Sequence, residues 1–178
     1  MHQYRCHLHP ILLNPPKLYR YRCLYFLLHQ LRPLIVHCPL VASRVDIGPS
    51  SIAESFPPST IPTKYFTHLF YTFVLPDATS YKLFVTRLDD QWMGNFTATL
   101  HAQMLPAKAF LSIGGGNSNS STFSNMARSH DTRAAFIKST IDVARKYGFD
   151  GLDLDWEFPQ NPQDMTRFSM LFYEWRTT

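Results

Sequence analysis

The sequence predicts an α/β fold built from parallel βαβ units, on three observations. Two apolar runs, residues 65–75 and 108–113, read as strands buried on both faces. A third strand, residues 149–157, follows them, and helix-patterned stretches lie between and after the strands. Strand, helix, strand, helix in this order calls for right-handed crossovers that keep the strands parallel. An open doubly wound sheet and a closed barrel both satisfy the pattern.

The folded body is expected to begin near Val45. YFTHLFYTFVL, residues 65–75, is dense in aromatic and β-branched types and bounded by Pro62 and Pro76. Residues 89–104 suit a helix, with Leu100 and Met104 spaced by four, although Gly94, Thr97 and Thr99 oppose it. The strand KAFLSI, residues 108–113, runs straight into Gly114, Gly115 and Gly116. A helix is expected from about Thr132 to Tyr147, with Asp131 as its N-cap and Gly148 just past its end. Ala134, Ile137, Ile141 and Ala144 would form its apolar face. The last helical stretch, 164–176, carries Met165, Phe168, Phe172 and Trp175 at helical spacing.

Charge divides the chain. The net charge of +4 is misleading, because residues 1–45 hold Arg5, Lys17, Arg20, Arg22, Arg32 and Arg44 and no acid, while the remainder is mildly acidic. Cys6, Cys23 and Cys38 also fall in that basic segment, so no disulfide can tie the body together. Without a CxxC pair, the nearby His2, His7, His9, His29 and His37 do not complete a zinc pattern. Residues 24–41 are apolar but broken by His29, Gln30, Arg32, Pro33 and His37, which suits neither a membrane helix nor a signal peptide. Residues 1–45 are therefore expected to lie outside the fold, and residues 46–178 to form it. The aromatics Tyr4, Tyr19, Tyr21, Tyr25 and Phe26 interleave with the bases, yet no recognised nucleic-acid module accompanies them. No nucleic-acid or membrane partner is expected.

Asp153, Asp155 and Glu157 occupy alternate positions of the third strand, so all three point to one face, about 6.6 Å apart per pair of residues. Leu152, Leu154 and Trp156 take the other. Parallel strands are ordinarily apolar on both faces, so a row of acids conflicts with burial and marks a functional site. Like charges at this range resist simultaneous ionisation, which keeps at least one group protonated beside an ionised one. That is an acid–base device. Glu157, nearest the C-terminal end, is best placed to meet a substrate, because parallel β/α folds gather their sites there. Read from spacing alone, the row also fits a magnesium or calcium site, or a solvated strand end.

Residues 150–157, DGLDLDWE, match the DGxDxDxE signature of glycoside hydrolase family 18, the chitinase family. Ser112-Ile113-Gly114-Gly115 matches its SxGG motif, and Phe66 to Phe73 resembles its second strand. The stretch from Ser55 to Arg176 resembles a plant class V chitinase. The resemblance implies a TIM (β/α)8 barrel that cleaves β-1,4 linkages between N-acetylglucosamine units with retention. Glu157 would be the general acid, Asp155 would hold the acetamido N–H, and Asp153, hydrogen-bonded by Ser112, would share a proton with Asp155. Such enzymes depart from the two-carboxylate scheme because the substrate's own N-acetyl group assists. Phe73, Ser112, Gly115 and Gly116 would line the sugar pocket. The resemblance also implies an extracellular or vacuolar address, with which the sequons at Asn95 and Asn119 are compatible. Neither a metal nor a cofactor is expected.

The match is partial. The region of the first strand, Val45 to Ser51, lacks the family's tyrosine, and Gly116 stands where many relatives carry tryptophan. A full barrel needs about 250 residues, so the chain is expected to hold about four β/α units and lack strands five to eight. Open edges and an uncovered lining would favour self-association, and little turnover is expected of the chain by itself. Other readings are a non-catalytic, lectin-like carbohydrate binder and an inactive gene fragment; the retained Glu157 argues against the first.

Overall fold

The computed structural model describes residues 66–104 and 106–178, with 58–61 and 63 and the strand residues 25–27 and 46–47. Strands β1 (Tyr25–Leu27), β2 (Asp46–Ile47) and β3 (His68–Pro76) are followed by the short β4 (Leu83–Phe84) and helix α1 (Arg87–His101). Then come β5 (Lys108–Gly114), α2 (Ser120–Met126), α3 (His130–Tyr147), β6 (Gly151–Asp155) and α4 (Pro162–Thr177). The sheet runs β1-β6-β5-β3-β2 and curls. β2, β3, β5 and β6 are parallel, as the βαβ pattern requires. β4 turns back on β3 as a hairpin, and β1 pairs antiparallel along β6, Tyr25 opposite Asp153. Those three residues are all that is described of the basic segment before Val45; the rest of it lies outside the described residues.

One face of the sheet is covered by helices. Leu69, Tyr71, Val74, Leu111, Ile113, Leu152 and Leu154 pack there against Met93, Phe96 and Leu100 of α1, Phe136 and Ile137 of α3, and Leu171 and Trp175 of α4. Each fully buried side chain of this kind stabilises the fold by about 1.5–3 kcal/mol. His68, Phe70 and Phe110 alternate to the opposite face, where the Phe110 ring lies 5.3 Å from Phe70 and 5.4 Å from His68. No helix among the described residues is long and apolar enough to cross a membrane.

Local chemistry shifts several predicted boundaries. α1 starts at Arg87 because Thr86 and Asp89 form a capping box, in which the Asp89 carboxylate takes the Thr86 N–H and the Thr86 hydroxyl takes the Asp89 N–H. The helix ends before Met104, which is exposed, so Leu100 alone of that pair is buried. Ser129, not Asp131, caps α3, while Gly148 closes it in the left-handed conformation at φ 74°. Its buried face runs through Arg133, Phe136, Ile137, Thr140, Ile141 and Ala144, leaving Ala134 exposed. Arg133 is accommodated by a two-pronged pair with Glu174 and a bond to the Ala127 carbonyl, which joins α3 to α4. Tyr71, buried on the helix side, donates to Asp89 at 2.9 Å. Burial, with Asp89 beside it, holds its phenol well above the usual range.

Candidate active site

The parallel register sets Ser112 opposite Asp153 and Gly114 opposite Asp155, at the C-terminal ends of β5 and β6. Asp153 is 1% exposed, and the Ser112 hydroxyl donates to its Oδ2 at 2.6 Å. Asp155 ends β6, half-buried, and Glu157 lies two residues beyond, also half-buried. The row thus climbs from the sheet interior toward its rim. Leu152, Leu154 and Trp156 turn to the helix side and are buried there. Trp156 stacks on Phe123 of α2 at 5.7 Å between ring centres and meets Phe168 of α4 at 5.9 Å. It is a packing residue, as its alternation away from the acids predicts.

The glycine run makes the rim. Gly114 and Gly115 have φ of 115° and 85°, conformations that only glycine adopts without strain. The Gly115 N–H donates to the Asp155 carbonyl at 2.8 Å, which ties the turn to β6. A β-carbon on Gly115 would stand 2.7 Å from the Phe73 ring, so that ring lies directly over the turn. A β-carbon on Gly116 would stand 3.5 Å from Glu157 Oε2. Phe73, Gly115, Gly116 and Glu157 are therefore neighbours, contributed by three separate segments of the chain. No group of three His, Cys, Asp or Glu side chains among the described residues is arranged to hold a metal ion.

The family model for glycosyl hydrolases family 18 matches residues 46–178. The chain belongs to this family. A class V chitinase of Medicago truncatula is 49% identical over 122 residues, which cover 68% of this chain and 32% of that protein. A class V chitinase from Nicotiana tobaccum, solved as a glutamate-to-glutamine variant in complex with NAG4, superimposes with a TM-score of 0.66 at 38% identity, covering 70% of this chain and 36% of that one. A chitinase-like agglutinin of Robinia pseudoacacia superimposes with a TM-score of 0.67 at 38% identity, covering 70% and 38% respectively. The chain spans about a third of the length of the curated relatives it matches. Over that length it has the fold of the family 18 chitinases.

Three features of this family 18 site escape the linear pattern. Helix α2 has no expected counterpart in the sequence pattern, yet it delivers Phe123 and Ser120 against Trp156, beside the acids. Asp150, the first letter of the DGLDLDWE motif, sits at the opposite end of β6, where Lys108 Nζ, His101 Nε2 and the Ala109 N–H all reach its carboxylate at 2.8 Å. Asp164 is 2% exposed and accepts the Ser124 hydroxyl at 2.5 Å, which links the first turn of α4 to α2. Of these only Asp164 carries a sequence signal, an acid at the start of a helical stretch.

Proposed function

We propose that this chain carries the acid–base core of a chitinase-like glycoside hydrolase acting on β-1,4-linked N-acetylglucosamine. Its four parallel strands, β2, β3, β5 and β6, are read as strands one to four of the eightfold barrel, which places the acids at the C-terminal rim where such barrels work. Glu157 protonates the departing glycosidic oxygen. The substrate's N-acetyl carbonyl oxygen attacks the anomeric carbon as that bond breaks, forming an oxazolinium ion. Asp155 holds the acetamido N–H and offsets the positive charge; Asp153, fixed by Ser112, shares a proton with it. Glu157 then takes a proton from water, which opens the oxazolinium with retention. Phe73, Gly115 and Gly116 line the pocket for the sugar at the cleavage point, and chitin or its oligomers are the ligands. Extracellular or vacuolar action suits the plant class V resemblance.

The observation that carries this reading is the stepwise exposure of the three acids, from Asp153 locked on Ser112 to Glu157 at the rim. Coupled carboxylates in such a row supply one proton and one negative charge in the same site. Slow hydrolysis of the N-acetylglucosamine tetramer is expected, and Glu157→Gln should lower it at least ~100-fold, the usual worth of a general acid. Tetramer binding without turnover in the unaltered protein would instead identify a carbohydrate-binding member.

A further inference from the structure

We propose that Ser120 is a positioning residue for Glu157, an inference that rests on the hydrolase reading. Its hydroxyl accepts the Trp156 indole N–H at 2.9 Å and donates to the Phe158 carbonyl at 2.7 Å. These are the two residues that flank Glu157 in the chain. A hydroxyl has one proton to give, and this one is committed to Phe158. Its orientation is set, and it holds the side chain of the residue before the acid and the carbonyl of the residue after it.

The surroundings show why a side chain is needed there. β6 ends at Asp155, so the sheet no longer holds the backbone at Glu157. The Phe158 side chain is 51% exposed and contributes little packing. Trp156 is held on its face by Phe123, from the same short helix as Ser120, so one helix grips the segment by a ring stack and by two hydrogen bonds. The residue beginning that helix needs no such side-chain bonds for the helix itself, since Asn119 already caps it by taking the Ser121 N–H. The turn from Gly116 to Ser120 thus borders the Glu157 carboxylate at one end and holds its two chain neighbours, Trp156 and Phe158, at the other.

Two readouts test this on the 178-residue protein. With the N-acetylglucosamine tetramer, Ser120→Ala should lower kcat about tenfold at unchanged KM, within what slight misplacement of a catalytic group costs. Ser120→Thr keeps the hydroxyl and should restore kcat to within about twofold. An unchanged kcat in Ser120→Ala, a rise confined to KM, or a Thr variant no better than Ala overturns the assignment. In the second readout, backbone amide order parameters at 156–158 should fall from about 0.85 to below about 0.6 in Ser120→Ala and recover in Ser120→Thr. If the unaltered protein lacks turnover, the hydrolase reading fails, and unchanged order parameters in Ser120→Ala would overturn the positioning role separately.

Discussion

The two ends of strand β6 carry acids of opposite kinds. At its start, Asp150 meets a lysine, a histidine and a backbone amide, each at 2.8 Å. Toward its end, Asp153 meets the neutral hydroxyl of Ser112, and Asp155 and Glu157 follow it in the same row. Burial pushes the Asp150 carboxyl up, but hydrogen bonds from Lys108, the Ala109 amide and His101 outweigh it and hold it below its usual range. Positive partners make an acid a fixed anion, which serves to tie β5, β6 and the end of α1 together. One eight-residue motif thus holds a structural acid and catalytic candidates, separated by which end of the parallel sheet they occupy.

Substitutions should split along that line. The largest effect is expected from Glu157→Gln, which removes turnover while moving unfolding free energy by less than ~0.5 kcal/mol, as for other half-exposed positions without buried partners. A melting temperature that dropped with activity would erase the contrast. Gly115→Ala should come next, costing about 2 kcal/mol through its positive φ and displacing the Phe73 ring, so stability and tetramer binding fall together. Asp150→Asn should do the reverse of Glu157→Gln, lowering stability by about 1–2 kcal/mol through weakened charged hydrogen bonds and leaving kcat of the folded protein intact. Chemical denaturation beside a tetramer assay separates the two.

The smallest effect sharpens the comparison through pH. Because the folded Asp150 carboxyl titrates lower than in the unfolded chain, its contribution is fully present above the unfolded value of about 3.9 and is lost as pH falls through the folded value. The stability gap between the unaltered protein and Asp150→Asn should therefore shrink as pH falls from about 5 toward 3. A gap that did not shrink below about pH 5 would show that Asp150 does not act as the anion of this cluster.

The α/β class and the row of acids are legible in sequence because both rest on period: two for strands, with the acids breaking an apolar rule on one face. What the sequence hides depends on register or on a few atoms. Asp150 and Lys108 lie 42 residues apart and meet only because β5 and β6 pair in parallel. On α3 the sequence identifies Ile137, Ile141 and Ala144 but hides Arg133 and Thr140, which are polar yet buried, one satisfied by Glu174 and the other by the Ile137 carbonyl. β4 is two residues long, too short to show a period. α2 is missed because serine and asparagine favour turns as readily as helix starts.

The contact between Phe73 and Gly115 has a bearing on how this sequence can be recombined. The ring of one residue fills the volume that any side chain at the other would need, and the two come from different β/α units. A chimera with a relative, joined anywhere between residues 73 and 115, inherits one half of this fit from each parent. It remains sound only where both parents use the same large-and-absent pairing, so a workable junction lies outside that interval or carries the two positions across together.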